Sequence, residues 1–363
     1  MIQPLVLDRR GVWTENGFIV IVLRIFRKGL RQTTVFRFVK TSGKKNQLIK
    51  CGLRFDAVSL PVINYLFEDV KHTITKRKTW KAMLAEADKP VQLPVAHDAL
   101  TARLIELAGF DAYQIGGYAL SGATHAIPDV DLEKFGEKKI SADWIIQASP
   151  LPVLVDIDDG YGDVKNVTRT IQEYLQLGVS AIFMEDQRPP KKCGHMDDKK
   201  VVETNIMVQK IKAAISARDR HDLFILARTD AIDPEGLENA IDRAKAYLDA
   251  GADGVYMEGP KTTEQLEKIG KALKGVPLAT SILEDGGKTP WVSPDDLKAM
   301  GYSMILYPTT LIFQIVHTTQ RALAHLKAGK PTGSASINMD EFMQVVDLPY
   351  WRDIEENFEG KDI

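Results

Sequence analysis

Eight short apolar segments, each ending in chemistry, restrict what this chain can fold into more than any other feature. In chain order they read QLPVAHD, AYQIGG, PVLVDID, AIFMED, LFILARTD, GVYMEG, PLATSI and SMILYPT. Between them lie stretches with helical spacing such as VTRTIQEYLQLG and LENAIDRAKAYLDAG, both closing on the Gly expected just past a helix. Apolar runs alternating with helical runs predict repeated βα units and a parallel sheet. Eight units within about 250 residues predict a closed (β/α)8 barrel of the TIM type rather than an open doubly wound sheet. No G-x-G-x-x-G follows the first segment, which counts against a dinucleotide-binding fold.

The segments stay apolar until their last positions. They then supply Asp98, Gly116 and Gly117, Asp156 and Asp158, Glu185 and Asp186, Arg228, Glu258, and Ser281. In a barrel those ends converge on one face, where active sites are built. The gaps from Gly116 to Asp156 and from Glu185 to Arg228 are the longest between successive ends. They hold SGATHAIPDVD and QRPPKKCGHMDDKK, read here as functional loops.

The boundaries follow from this rhythm: a basic extension over 1–75, the barrel over 76–329, and a helical tail over 330–363. Residues 1–50 carry eleven Lys or Arg against Asp8 and Glu15 alone, with no clear periodicity. That start reads first as an unstructured extension and second as an organelle transit segment. A net charge of -2 points to neither nucleic acid nor a membrane surface, and no apolar run spans a bilayer. Cys51 and Cys193 cannot form a disulfide framework, so a reducing, cytoplasmic setting is expected.

In VDIDDGYG, Asp156 and Asp158 sit two apart at a strand end and share a face, and Glu185 ends the next strand. Carboxylates without His or thiolate favour a hard cation, Mg²⁺ or Mn²⁺, over zinc. In KKCGH, Lys191, Lys192 and His195 surround Cys193, and their charge is expected to lower its thiol pKa for acid–base work. Arg228 offers a fork to a carboxylate and is also expected to pair with Glu258 or Asp230.

DIDDGYG, EDQ followed by KKCGH, ARTD at the fifth strand and EDGGKTP after the seventh resemble the isocitrate lyase/phosphoenolpyruvate mutase superfamily, over about Lys76 to Lys327. The resemblance implies a small carboxylic acid substrate whose 2-oxo or 2-hydroxy carboxylate lies on Mg²⁺ held by Asp156, Asp158 and Glu185. Backbone at Gly116 and Gly117, with Tyr118, would cradle that end, and the loop bearing Asp129 would close over it. Cys193 would protonate the enediolate left by cleavage. Arg228, Gly194 and His195 would bind a second carboxylate, with Lys191, Glu258 and Ser281 completing the substrate shell. C-terminal helices exchanged between subunits, and hence a homotetramer, are implied as well.

Within that family the intact KKCGH and the short chain favour the methylisocitrate lyase, 2,3-dimethylmalate lyase and oxaloacetate hydrolase branch over the phosphonate-forming mutases. GGY at Gly116–Tyr118 leans away from methylisocitrate lyase. Relatives carry Asn where this chain has Ser281, so the distal end of the substrate is read differently here. The expected activity is Mg²⁺-dependent carbon–carbon cleavage of an alkylmalate- or methylisocitrate-type acid. Oxaloacetate hydrolysis and a phosphonate mutase are the alternatives.

Overall fold

In the computed structural model, residues 77–284, 286–332 and 336–358 are described, with the backbone of strands at 12–15, 18–27 and 30–39. The chain divides after Asp69 into two units. In the first, β1 (Val12–Glu15), β2 (Phe18–Arg27) and β3 (Leu30–Val39) form an antiparallel sheet in that order. Cys51 lies outside the described residues.

The second unit is the expected barrel. Its parallel strands are β4 (Val91–Pro94), β5 (Tyr113–Ile115), β6 (Val153–Asp156), β7 (Ala181–Glu185), β8 (Phe224–Thr229), β9 (Gly254–Met257), β10 (Leu278–Ser281) and β11 (Met304–Tyr307). All eight segments read from the sequence become strands. The ring runs in chain order, with β11 beside β4, and it closes between β4 and β5 through one parallel bridge, Val95 to Gln114.

Both faces of the strands are buried, so the segments read as continuous apolar runs, yet the period of two still sorts them. Leu154, Phe183, Leu226, Tyr256, Ala279 and Leu306 pack together inside the barrel. Their neighbours Val155, Ile182, Ile225 and Ala227 pack outward against the helices. Burying each of these larger side chains contributes roughly 1.5–3 kcal/mol. Continued by two residues, the inward set becomes Asp156, Glu185, Arg228, Glu258 and Ser281. The site is thus the polar top layer of the core.

Local signals set the helix ends. Asp163 caps the helix Val164–Gln176, and Gly178 and Gly251 follow their helices at positive φ, where an L side chain would be strained. Asp98 is a cap rather than a site residue, because its Oδ1 accepts from the Thr101 amide at 2.7 Å. Part of the stretch read as a loop after β5 is helical, since Gly117–His125 forms a helix that runs through Ser121. The tail forms helices Met339–Val345 and Leu348–Phe358. No helix among the described residues is long and apolar enough to cross a membrane.

Candidate active site

The acidic corner is built from β5, β6 and β7. Asp156, the last residue of β6, accepts from the Gly117 amide through Oδ2 at 3.1 Å and from the Asp158 amide through Oδ1 at 2.9 Å. Asp158 lies beyond the strand at φ 47°, and its carboxylate is gripped by Lys138 on one oxygen and by Lys191 on the other, at 2.6 Å. Lys191 also reaches Asp129 Oδ1 at 2.5 Å, tying the Asp129 loop to the corner. The third aspartate of the motif, Asp159, turns away to Lys210.

Burial perturbs the ionisable groups of this corner. It pushes Asp156 up, with Asp158 adding to the shift and the two lysines opposing it. It also drives Glu185 well above the carboxylate range against the pull of Arg228. Asp158 moves the other way, because Lys138 and Lys191 outweigh its burial. The same pairing holds Lys191 well above, and Lys138 above, the ordinary ammonium value despite their burial.

The second cluster is a hub around Arg228. The guanidinium donates Nε and Nη2 to Asp230, at 2.8 and 3.0 Å. Nη2 also lies 3.3 Å from Glu185 and 3.5 Å from Glu258. The Tyr256 and Phe183 rings flank it at 5.2 and 5.8 Å. Glu258 accepts from Ser281 Oγ at 3.0 Å and from the Tyr256 hydroxyl, and it faces His195 Nε2 at 3.0 Å. Burial would raise Glu258, but Arg228 and then His195 hold it well below the carboxylate range. His195 Nδ1 accepts the Lys288 amide at 2.9 Å, so the ring proton sits on Nε2 and points at Glu258. Gly194 leaves no room for a side chain: a Cβ there would sit 2.3 Å from Arg228 Nη2.

Between the clusters is a pocket of about 50 Å³ lined by ten of the residues singled out in the sequence: Gly116, Gly117, Tyr118, Asp129, Asp156, Cys193, Gly194, His195, Arg228 and Glu258. Lys191, Asp158, Glu185 and Ser281 do not line it and act from behind. Cys193 corrects an expectation. Its thiol is pushed up to about 11, chiefly by burial, although the His195 amide donates to it. The nearby positive charges are spent elsewhere: Lys191 on Asp129 and Asp158, Lys192 on the Asp197 carbonyl, and Arg228 mainly on carboxylates. Tyr118 stands beside this thiol, and burial, then Cys193 and Asp129, raise its phenol.

Comparison with known proteins settles the family. Residues 81–327 match the model described as phosphoenolpyruvate phosphomutase. The chain belongs to the phosphoenolpyruvate mutase/isocitrate lyase superfamily. It is 37% identical over 278 residues to the 2,3-dimethylmalate lyase of Eubacterium barkeri, covering 76% of this chain and 96% of that one. A probable 2-methylisocitrate lyase of Corynebacterium glutamicum is 40% identical over 252 residues, with 69% and 82% covered. With such relatives the chain is an enzyme of the carbon–carbon lyase kind. Oxaloacetate acetylhydrolase, solved with 3,3-difluorooxalacetate, superposes with a TM-score of 0.73 at 28% identity, covering 77% and 96%. A phosphonopyruvate hydrolase solved with oxalate and Mg²⁺ does so with 0.68 at 26%, covering 76% and 96%.

Among the described residues of this superfamily member, no three carboxylates stand ready as a closed ligand set. The corner nonetheless fits a hard divalent cation. Among the described residues, Asp129, Asp156, Asp158 and Glu185 face only Lys138 and Lys191, with Arg228 shared among further acids. Glu185 Oε1 is buried without a hydrogen-bond partner among the described residues. An unmatched buried carboxylate oxygen beside excess negative charge is what a dication would satisfy.

Sequence reading missed several residues. Phe183 and Tyr256 line the pocket and were legible by parity, two residues before Glu185 and Glu258. Lys138 shares a buried helical face with Ser141, Ala142 and Ile145, so its spacing marked it as inward. Lys199 gives no signal; only the fold brings it to Asp230, at 2.8 Å.

Proposed function

We propose that the chain is a divalent-metal-dependent lyase that cleaves a small substituted 2-hydroxy di- or tricarboxylic acid, of alkylmalate or methylisocitrate type, to a 2-oxo acid and a second carboxylate. The observation that carries this reading is the Cys193 thiol, held protonated on the pocket wall. Asp156 and Glu185, with Asp158 close by, would hold Mg²⁺ or Mn²⁺. When bound, the ion supplies positive charge that polarises the substrate's 2-oxygen.

The chain's own groups account for the rest. Asp129 has Oδ1 tied to Lys191, which leaves Oδ2 to take the proton of the substrate's 2-hydroxyl. As the carbon–carbon bond breaks, its electron pair passes to the departing fragment as an enediolate, and the Cys193 thiol gives that carbon its proton. Arg228 uses Nε and Nη2 internally, leaving Nη1 for the distal carboxylate. The Gly117 end of the helix Gly117–His125 backs the 2-oxo acid end.

A second reading, hydrolysis of oxaloacetate, is favoured by Ser281. Its hydroxyl is turned onto Glu258, so the distal end lacks the amide donors an Asn would present. The likeness to oxaloacetate acetylhydrolase supports it as well. Assaying 2-alkylmalates, methylisocitrate and oxaloacetate separates the two. Release of a 2-oxo acid from the first two supports the lyase, and oxalate plus acetate from oxaloacetate supports the hydrolase. No turnover of any of them overturns both.

We also propose a homo-oligomer. The helix Thr310–Lys327 has no buried residue among the described atoms and exposes Phe313, Ile315, Val316, Leu323 and Leu326, a face suited to a second copy of the chain.

A further inference from the structure

Lys138 enters the acidic corner from a helix, Phe135–Gln147, rather than from a strand end, and it is 2% exposed. Its ammonium pairs with Asp158 Oδ2. A Cβ built on Gly117 would lie 3.1 Å from Lys138 Nζ and 3.3 Å from Asp156 Oδ2. The ammonium and the Asp156 carboxylate therefore flank the same pocket-lining glycine. Lys191 holds the other oxygen of Asp158 at 2.6 Å.

These contacts bear on how a metal is held. A dication seated between Asp156 and Glu185 would draw on Asp158 as its next oxygen donor, yet both oxygens of Asp158 already face ammonium groups. We propose that Lys138 is a built-in rival cation, a positioning residue that holds Asp158 back from the metal and keeps divalent binding weak. This rests on the metal-dependent reading above. Two effects act in the same direction. Lys138 occupies an anionic oxygen, and its charge would repel a dication held in the same corner. Lys191 also pairs with Asp158, so replacing Lys138 should leave that buried carboxylate with a cation beside it.

The test is a Mn²⁺ titration of the full-length, chelator-stripped protein, following free Mn²⁺ by electron paramagnetic resonance. Wild type is compared with Lys138→Met, Lys138→Gln and Lys138→Arg. The Met and Gln variants should bind Mn²⁺ at least about tenfold more tightly, as expected when a unit charge beside a dication is removed. The Arg variant, which keeps the charge, should stay near wild type. Tighter binding cannot arise from a damaged site, so this gain separates the proposal from a merely structural role. Lys138→Gln keeps a donor for Asp158 and decides the matter where the Met variant folds poorly. Wild-type binding with unchanged or weaker binding in both neutral variants overturns the proposal alone. Absence of Mn²⁺ binding in every protein overturns the metal reading and the proposal with it.

Discussion

Arg228 is clamped to Asp230, two residues further along the chain, by paired hydrogen bonds of 2.8 and 3.0 Å. The clamp is itself held: the Asp230 amide donates to Asp186 at 2.9 Å, and Lys199 reaches its carboxylate at 2.8 Å. Such pairing fixes the plane of the guanidinium before any ligand arrives. Asp230→Asn should lower kcat/KM by about 10²-fold, mostly through KM, as expected for loosening a buried charged contact worth about 2–3 kcal/mol. Arg228→Lys should do at least as much, because an ammonium cannot serve Asp230 and a substrate carboxylate as a fork. Steady-state kinetics on the active acid decide this; a KM unchanged in both variants would remove Arg228 from substrate binding.

A thiol pushed up to about 11 is an acid in waiting, not a nucleophile. At pH 8, alkylation of Cys193 by iodoacetamide should run about a hundredfold slower than at an ordinary thiol near 9. The rate should climb through pH 10 and 11, followed peptide by peptide by mass spectrometry. The sign for stability follows. A folded pKa above the unfolded one favours the protonated thiol, so its contribution is intact below about pH 9 and is lost as the pH rises towards 11. Cys193→Ser should abolish cleavage and leave Mn²⁺ binding intact. Unchanged turnover would remove the thiol from the reaction.

The contrast between Cys193 and its neighbours shows what a sequence can and cannot disclose. Period and composition were enough for the barrel, since eight strands buried on both faces must be apolar and their ends must face one mouth. The identity of the site residues was legible for the same reason: Asp156, Glu185, Arg228, Glu258 and Ser281 are each the next inward step after an apolar residue. The charge state of Cys193 was not. It depends on where Lys191 and Lys192 point, and spacing along the chain brings both beside the thiol whereas the fold turns both away. Lys138 was legible only in part: its spacing puts it on the buried face of its helix, but nothing along the chain names Asp158, 20 residues on, as its partner.

Ser281 donates its hydroxyl to Glu258, which lines the pocket, and on the proposed reading this pair sets the distal end of the substrate. Ser281→Asn should shift the ratio of kcat/KM between a tricarboxylate such as methylisocitrate and oxaloacetate towards the tricarboxylate by about tenfold, the value of roughly one added hydrogen bond. The competing-substrate ratio measures it directly. An unaltered ratio would mean that Ser281 does not set specificity.

The exposed helix Thr310–Lys327 gives the assembly its own test. Light scattering should report a mass at a multiple of 40.5 kDa, and Leu323→Glu with Leu326→Glu should shift it towards that value. A wild-type protein that already runs at the single-chain mass would refute the oligomer.

The barrel closes between β4 and β5 at one bridge, Val95 to Gln114, and Gln114 also stitches the gap by donating to the Leu93 carbonyl at 3.1 Å. The same Gln114 lines the pocket. The most sparsely bridged seam of the cylinder therefore borders the pocket, and on the proposed reading a bound ligand would act as a rivet across it. Ligand binding would then tighten this seam, so amide hydrogens along β4 and β5 should be the first to slow their exchange with solvent when the site fills.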